Sequence, residues 1–441
     1  MYATETNYLR NLRKSQYGIL MDIFHIAKNL YNKGLYEARQ PYIRHGVLLT
    51  YEKLYEICKS NENYSLLAAQ GSQQILKRVT EVMKSHDALK HLEGYMKPVR
   101  LPGYLEKDGV TGITFPAQAI SVTDGVFKIP ISRAYAKEHP GEDLDIYVPF
   151  PKNLDPAALK EVTIYPVGEG RAIKIAYTYN VTPTPSGNGT TNVLGIDLGL
   201  DNFASCVSTT GTSFILDGRY MKSINQLYNK TMAAQISIDA KNGITGLTDR
   251  RFCLQEKRNN MINDIIYKYA KFVIGFCLAN NIGTIVVGYN KGQKQGISMG
   301  KKNNQHFVSI PYWRFRHQLG FLCAKNGITF IEGEESYTSK SSFLDLDPIP
   351  TWGQEKDKVS FSGKRVHRGL YRSGNGTLVN ADLNGAANII RKHIPEVTSD
   401  SRFMRLGRAL KAFPKRVRFK DIEKKGLPDA LSLIGVSATS M

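Results

Sequence analysis

Acidic residues in three separate stretches of this sequence have types and settings that suit metal-ion chemistry. Asp197 ends an apolar run that is typical of a buried strand. Glu334 and Glu335 follow a second apolar run, and Asp382 begins an alanine-rich stretch. Each also has a structural explanation: a turn-binding aspartate, an acidic surface loop and a helix cap, respectively. Buried carboxylates are costly unless a cation or hydrogen bonds stabilise them. Carboxylates that converge on one point supply the hard oxygen ligands that two Mg²⁺ ions need to promote phosphodiester hydrolysis.

The segments around these positions predict an α/β domain of the ribonuclease-H-like type. The pattern of residues 193–216 indicates three strands of one sheet, with Asp197 on the first. Amphipathic helices, a buried strand at 283–287, a further helix and a strand at 328–331 follow. An antiparallel opening followed by parallel strands, each added through a crossover helix, puts the first strand at the centre of the sheet. We therefore expect Asp197 in the middle of the sheet.

Changes in composition along the chain predict its division into segments. The region after the first strand has helical periodicity with interleaved aromatic and basic residues, which fits either a plain helical bundle or a surface for nucleic acid. Short alternating strands separated by Gly, Pro and Asp turns follow, and then a linker rich in Pro, Gly and Thr. The predicted segments are a first strand (1–16), a helical lobe (17–97), a β module (98–182), a linker (183–191), an α/β domain (192–395) with an insertion at about 340–378, and a basic tail (396–441).

An excess of positive charge indicates a polyanionic partner. The chain has 59 Lys and Arg against 39 Asp and Glu, a formal net charge of +20, which attracts nucleic acid or an anionic membrane. It has no run of about 18 apolar residues and no signal-peptide core, so we favour nucleic acid and expect no membrane partner. Its five scattered cysteines include no Cys-x-x-Cys pair, which fits a reducing compartment. We expect the protein in the cytoplasm, associated with the nucleoid.

Three stretches of the sequence resemble the signature motifs of the TnpB family, the transposon-encoded, RNA-guided nucleases related to type V CRISPR effectors. They read GIDLGLDN (195–202), YTSK (337–340) and DLNGAANI (382–389), and the resemblance covers residues 193–392. It implies a RuvC-like nuclease domain preceded by a helical recognition lobe that is inserted in a small, β-barrel-like wedge domain. It also implies a guide non-coding RNA, a double-stranded DNA target and two catalytic Mg²⁺ ions, or Mn²⁺ in their place.

The resemblance implies that Asp197 and Asp382 are two of three catalytic acids, but the third is missing from its usual place. The family's middle glutamate normally ends the strand on which this chain has Gly288. A glutamate at the end of the adjacent strand could supply the missing carboxylate, because neighbouring strands lie about 4.8 Å apart. Glu334 and Glu335 are both candidates for catalysis and metal binding, although consecutive strand residues face opposite ways, so only one can reach the ions. We favour Glu335.

A second departure from the family concerns zinc. Four zinc-binding cysteines would follow Lys340, where this chain has Ser341 and Ser342, and no cysteine occurs beyond Cys323. We therefore expect the zinc-ribbon-like insertion at 340–378 to be degenerate or free of metal, and we expect no bound zinc.

Basic residues near the predicted site are candidates for nucleic-acid binding. One group follows the strand that ends at Gly288, and another lies just before Asp382, where it could hold a DNA strand over the ions. A third basic region, from Arg402 to Lys425, is either a solvated segment or an RNA contact. The candidates for nucleic-acid binding are Lys291, Lys294, Lys301, Lys302, Lys364, Arg365, Arg368 and Arg372.

Two functions stay open from the sequence. The first is an RNA-guided, Mg²⁺-dependent DNA endonuclease encoded by a transposon, in which guide pairing reads the target sequence. The second is a nuclease-dead, RNA-guided DNA-binding repressor. We favour the endonuclease, because Asp197 and Asp382 are both present and two converging carboxylates repel each other when no cation joins them. A DNA transposase acting without RNA is disfavoured, since the sequence has no Tyr or His-pair motif that supports strand transfer.

Overall fold

The computed structural model describes most of the chain as two compact units. One unit comprises Met1–Val181 and the other Thr182–Met441, so the division falls beside the start of the predicted linker. Within the described ranges, no helix is both long enough and apolar enough to cross a membrane. The described residues are 1–92, 98–186, 189–289, 310–351, 353 and 359–435.

The first unit begins with a strand and a helical region. Its longest helix buries Ile23 and Ala27, whose spacing of four residues places them on one face. This helix ends at Gly46, whose φ of 65° is the left-handed conformation that glycine adopts at low cost. The next helix begins after Thr50, whose side chain accepts a hydrogen bond from the backbone N–H of Lys53. These elements are β1 (Tyr2–Tyr8), α1 (Lys14–His45), α2 (Tyr51–Cys58), α3 (Glu62–Leu66) and α4 (Ala69–Lys90).

Two small sheets complete the first unit. Their elements are β2 (Ile113–Pro116), β3 (Val122–Thr123), β4 (Val126–Lys128), α5 (Arg133–Glu138), β5 (Tyr147–Pro149), β6 (Leu159–Val167) and β7 (Ala172–Asn180). The larger sheet has the order β1-β7-β6-β2 and is antiparallel, so the helical region lies between its first two strands in the chain. The other sheet has the order β3-β4-β5. The barrel-like closure expected from the sequence stays a prediction.

A six-stranded sheet forms the centre of the second unit. Its strands and those of a small three-stranded sheet are β8 (Val193–Leu198), β9 (Asn202–Ser208), β10 (Ser213–Asp217), β11 (Thr284–Gly288), β12 (Thr329–Gly333), β13 (Lys364–His367), β14 (Leu370–Arg372), β15 (Leu378–Asn380) and β16 (Lys415–Val417). The order of the large sheet is β12-β11-β8-β9-β10-β16. Strands β8, β9 and β10 are antiparallel, and β11 and β12 continue the sheet parallel to β8. This is the ribonuclease-H-like order that the sequence predicts, with Asp197 on the central strand.

Helices cover both faces of the large sheet. They are α6 (Arg219–Lys241), α7 (Asp249–Ala279), α8 (Tyr312–Lys325), α9 (Ala381–His393), α10 (Ser401–Ala409) and α11 (Phe419–Ser432). On one face, Phe272 of α7 packs edge to face against Phe214 of β10. On the other face, α9 lies so close to β8 that a Cβ added to Gly195 would overlap the backbone oxygen of Ala386. Glycine on the central strand therefore allows the start of α9 to reach the end of β8.

The basic C-terminal segment, predicted as a tail at 396–441, is part of the second unit. Strand β16 extends the sheet by pairing in parallel with β10, and Val417 and Phe419 are buried in the core. Arg416 Nη1 lies 3.8 Å from Asp217 Oδ2 on β10, and Lys415 and Arg418 are exposed. Part of the basic segment thus packs against the sheet, and the bounds of the predicted tail stay a prediction.

Candidate active site

Asp197 lies near the carboxyl end of the central strand β8, where it is half-buried. With Glu335 and residues 336–340 it lines a pocket of about 290 Å³. A Cβ added to Gly385 on α9 would lie 2.6 Å from Asp197 Oδ2. The small residues near the start of α9 therefore leave room for the Asp197 carboxylate.

Glu335 reaches this pocket from the segment that follows β12, and its side chain fills the space above Gly288. Gly288 pairs with Gly333 at the ends of β11 and β12, so Glu335 lies just beyond the edge of the sheet. A Cβ added to Gly288 would lie 3.2 Å from Glu335 Cβ and would overlap Oε2. The glutamate of the neighbouring strand thus occupies the volume that a side chain at position 288 would require.

Glu334 is held by α9 instead. Its Oε2 forms an ion pair with Lys392 Nζ, and its Oε1 accepts a hydrogen bond of 2.7 Å from the backbone N–H of Ser336. Burial acts to raise the pKa of Glu334, but Lys392 and Ser336 stabilise the ionised form and lower the pKa overall. Of the two glutamates that the sequence leaves open, the fold brings Glu335 into the pocket of Asp197.

Asp382 lies in the first turn of α9, but it does not cap the helix. Asn380 is the N-cap, since its side-chain oxygen accepts hydrogen bonds of 3.1 Å from the backbone N–H groups of Asp382 and Leu383. The carboxylate of Asp382 accepts a 2.6 Å hydrogen bond from Asn202 Nδ2 and lies 3.9 Å from Arg365 Nη2. The helix-cap explanation is therefore wrong for Asp382, whose carboxylate is directed to Asn202 and Arg365.

Asp197 feels the charges of the two other candidate acids. Burial raises the pKa of Asp197 well above its usual range, and the negative charges of Glu335 and Asp382 raise it further. Burial raises the pKa of Glu335 to about 7, with the charge of Glu334 adding to this effect and Arg316 opposing it. Like charges held this close destabilise one another unless a cation joins them. The site therefore has the electrostatic character of a cation site.

The donor atoms of this site are carboxylate oxygens, which is the type of ligand that suits Mg²⁺. The ion prefers hard oxygen ligands, and the carboxylate of Asp197 lies within the electrostatic influence of the carboxylates of Glu335 and Asp382. Across the described ranges, no group of three or more His, Cys, Asp or Glu side chains lies close enough together to form a metal-binding cluster. The donors are therefore neighbours, but they do not form a closed set of ligands.

Some of the residues predicted to bind nucleic acid lie beside the site on the sheet β13-β14-β15, here called the ribbon. Lys364 and Arg372 are exposed and lie opposite each other in the pairing of β13 with β14. The positive charge of Arg365 opposes the rise in the pKa of Asp197. Arg368 forms an ion pair with Asp201, in the segment that follows β8. The predicted residues that lie outside the described part of the chain are Lys291, Lys294, Lys301 and Lys302.

Hydrogen bonds hold the segment in which the family has zinc-binding cysteines. Ser342 is fully buried, and its backbone N–H donates to the carboxylate of Asp347 at 2.8 Å. Asp347 also accepts a hydrogen bond of 3.0 Å from the backbone N–H of Ser362, and Asp345 accepts one of 2.6 Å from that of Gly374. These carboxylates face donors, which stabilise an anion without a metal. That the protein binds no zinc stays a prediction.

Sequence reasoning missed the polar residues of α9 that hold the Glu335 segment. Asn384 Nδ2 donates to the backbone oxygen of Ser341 at 2.8 Å, and Asn388 Nδ2 donates to that of Thr338 at 2.9 Å. Lys392 extends the same row of side chains. The signal was present in the spacing, because polar residues four apart on a buried helix face need partners.

The strand order and the neighbouring carboxylates define the class of the second unit, a ribonuclease-H-like domain with a candidate nuclease site. Residues 176–294 match the model of the OrfB_IS605 family, which is described as a probable transposase. This match supports the resemblance to the TnpB family, and of the three sequence motifs it includes the first, GIDLGLDN. No curated protein matches the chain.

Two solved structures are similar to this chain to different degrees. The Cas12f1–sgRNA–target DNA complex has a TM-score of 0.50 and 15% sequence identity, over 86% of this chain and 83% of that chain. The mini-RNA-guided endonuclease CRISPR-Cas_phi3 has a TM-score of 0.43 and 10% identity, over 89% of this chain and 92% of that chain. The first likeness shows a shared fold.

Proposed function

We propose that this protein is an RNA-guided, Mg²⁺-dependent DNA endonuclease of transposon origin, which hydrolyses phosphodiester bonds of its target DNA. The observation that carries the proposal is Glu335, whose carboxylate fills the space above Gly288 and lines the same pocket as Asp197. Asp382 adds its charge to that of Glu335 in raising the pKa of Asp197. The neighbouring strand thus supplies the acid that Gly288 lacks.

Asp197, Glu335 and Asp382 would hold the Mg²⁺ ions, or Mn²⁺ in their place. When bound, the ions supply electrostatic stabilisation of the charge that develops on the phosphate during hydrolysis. The chain's own contribution is to fix the acids. Paired strands on both sides of β8 give Asp197 a rigid base, and Asn202 orients Asp382 through its 2.6 Å hydrogen bond. Burial of Asp197 also reduces the screening of its charge by water.

The proposed partners are a guide non-coding RNA and a double-stranded DNA target. The family match, the net charge of +20 and the exposed basic side chains of the ribbon support this proposal. The Cas12f1 structure, which contains an sgRNA and target DNA, has the same fold. Lys364, Arg365, Arg368 and Arg372 would contact backbone phosphates beside the acids. A location in the cytoplasm, on the nucleoid, belongs to the same proposal.

A nuclease-dead repressor with the same partners is the second candidate. One observation favours it: in the part of the chain that the structure describes, the acids do not form a closed set of metal ligands. A repressor of this kind would bind its DNA target through the guide RNA and would leave both strands intact at every ion concentration.

Cleavage of matched double-stranded DNA by the purified protein–RNA complex tests the proposal. The RNA is the one that copurifies when the protein is expressed together with the non-coding DNA beside its gene. We expect Mg²⁺-dependent cleavage by the wild type, no cleavage by Asp197→Ala, and equal DNA binding by both. Asp264→Ala is the matched control, because Asp264 is exposed on α7 in an ion pair with Lys268. Tight DNA binding without nicking in either Mg²⁺ or Mn²⁺ would identify the repressor instead.

A further inference from the structure

The last turn of α9 holds the segment that carries Glu335. The side chain of Lys392 is 9% exposed, and its ammonium group has three acceptors: Glu334 Oε2, Ser336 O at 3.1 Å and Pro350 O at 3.1 Å. An ammonium group has three donors, so each of them has an acceptor. Glu334 and Ser336 flank Glu335 in sequence. One buried cation therefore fixes the residues on both sides of the glutamate.

His393 adds a second contact at the same place. Its Nε2 lies 3.0 Å from the backbone oxygen of Glu334. A Cβ added to Gly333 would overlap the imidazole ring, so the end of β12 lies directly against the last turn of α9. The strand end from which Glu335 extends has little freedom to shift along the helix.

The same face of α9 holds the rest of the segment. Asn388 Nδ2 donates to Thr338 O at 2.9 Å and to Ser341 O at 2.7 Å. Asn388 and Lys392 are four residues apart and therefore share one face of the helix. The segment is fastened to this face along its length, and the first turn of the same helix carries Asp382.

We propose that Lys392, acting through Glu334, is a positioning residue for metal binding by Glu335. The inference rests on the proposed function, since Glu335 is a metal ligand only in that function. Glu334 and Glu335 directly follow β12, and their side chains lie on different partners: Glu334 pairs with Lys392, and Glu335 lies over Gly288. When Lys392 holds Glu334 to one side, Glu335 is directed to the other side, over Gly288. A single helix therefore sets two of the three acids, Asp382 through its first turn and Glu335 through its last.

This arrangement gives Lys392 an effect that differs from that of a ligand. Loss of Lys392 keeps the Glu335 carboxylate but removes the cation that holds the residues on both sides of it, so the affinity for the ion falls while every ligand is retained. Replacing such outer partners of metal ligands typically changes metal affinity or activity by about 10- to 100-fold. A higher ion concentration restores occupancy in that case. Loss of the Glu335 carboxylate itself cannot be restored in this way.

Direct Mn²⁺ binding, measured without any DNA substrate, tests this inference. The protein–RNA complex is titrated with Mn²⁺, and free Mn²⁺ is measured from its electron paramagnetic resonance signal. We expect Lys392→Met and Glu334→Gln to weaken binding by about tenfold or more. Lys392→Arg should recover part of the affinity because it restores the charge. Lys59→Met is the matched control, since Lys59 lies in an exposed ion pair with Glu56 in the first unit.

DNA cleavage by the same variants separates positioning from ligation. Cleavage by Lys392→Met and Glu334→Gln should return at high Mg²⁺, whereas cleavage by Glu335→Gln should not. If Lys392→Met does not fold, Glu334→Gln decides the question, because glutamine keeps an acceptor for the backbone N–H of Ser336.

Two outcomes would overturn the inference. One of them leaves the proposed function intact, and the other overturns the proposed function as well. Equal Mn²⁺ affinity in the wild type, Lys392→Met and Glu334→Gln, with weaker binding by Asp197→Ala, rules out the positioning role and leaves the proposed function intact. Wild-type binding no tighter than that of Asp197→Ala rules out both.

Discussion

Two groups of carboxylates in the second unit differ in what surrounds them. In the candidate site, burial and the charges of other acids raise the pKa values of Asp197 and Glu335. In the segment that leads to the ribbon, Asp347 accepts two backbone hydrogen bonds, from Ser342 and Ser362. The pKa of its neighbour Asp345 is lowered, because hydrogen-bond donors outweigh the effect of burial.

This contrast separates structural acids from acids that suit a cation. N–H and O–H donors stabilise an ionised carboxylate inside a protein, whereas a second carboxylate destabilises it. By this criterion Asp345 and Asp347 hold a turn together, whereas Asp197 and Glu335 are acids that a positive ion would stabilise. Asp382 raises the pKa of Asp197, but its own carboxylate accepts a hydrogen bond from Asn202. Sequence alone shows only acidic residues in both places.

The largest effect is expected at the acids of the site. Asp197→Asn and Asp382→Asn should slow single-turnover DNA cleavage by about 10³-fold or more, since a metal ion supplies several kcal/mol and about 1.4 kcal/mol is tenfold in rate. The melting temperature of the ion-free protein should not fall, because a repelling charge has been removed. Cleavage within about tenfold of the wild-type rate would place the ligands elsewhere.

Moving the third acid from position 335 to the end of β11 tests whether the two positions share one space. Gly288→Ala should slow cleavage by roughly 10- to 100-fold, because the added methyl group would overlap Glu335 Oε2. Glu335→Gly should lose cleavage, and the double variant Gly288→Glu with Glu335→Gly should regain part of it. Single-turnover rates for the three variants measure the effect. If Gly288→Ala were fully active and the double variant inactive, the side chains at positions 288 and 335 would not occupy the same space.

In the second group of carboxylates, the expected effect is on stability. Asp347→Ala removes the acceptor of two backbone N–H groups, one of which belongs to the fully buried Ser342. A buried donor left without a partner costs about 1–3 kcal/mol, which chemical denaturation can measure as a lower free energy of unfolding. Cleavage well below the melting temperature should stay close to that of the wild type. If Asp347→Ala had normal stability but no cleavage activity, Asp347 would belong to the active site rather than to the turn.

The smallest effect is expected in the pH dependence of the ion-free protein. The pKa of Glu335 is about 7 in the folded protein against an ordinary value of 4.5, so folding takes up a proton between these values. This contribution to stability is complete below pH 4.5 and is lost as the pH rises through about 7, and Asp197 acts in the same direction. Melting in EDTA should therefore occur at a lower temperature at pH 8 than at pH 6.

Two further measurements check the origin of this pH dependence. Glu335→Gln should reduce the difference between pH 6 and pH 8, because its side chain carries no proton to lose. Mg²⁺ should raise the melting temperature more at pH 8 than at pH 6, since the ion needs the ionised carboxylate. A pH dependence identical in the wild type and Glu335→Gln would assign it to other groups.

The central sheet was predictable because its signals are local. Strands β8, β11 and β12 are short apolar runs, and right-handed crossovers leave few orders in which they can pair. The position of Asp197 follows directly. The choice between Glu334 and Glu335 was not predictable, because it depends on Lys392, which lies 58 residues beyond Glu334 in the chain.

The pairing of the C-terminal segment with the sheet was not predictable for a different physical reason. Its strand has three residues, Lys415–Val417, and only Val417 among them is buried. A single apolar position between basic residues has no measurable period, so the charge dominated the interpretation. Burial there comes from the sheet edge that the strand joins, and that edge is far away in sequence.

Strand β16 makes the sheet dependent on a segment that is synthesised long after β10. Ser213, at the start of β10, donates a hydrogen bond to the backbone oxygen of Ala409, 196 residues later. During translation, β10 therefore leaves the ribosome long before its neighbour does, and its outer edge stays unpaired. An unpaired edge is a template for pairing with other chains, and such distant pairing slows folding. A ribosome that stops before Lys415 would thus release a chain prone to aggregate, even though all three acids had already been made.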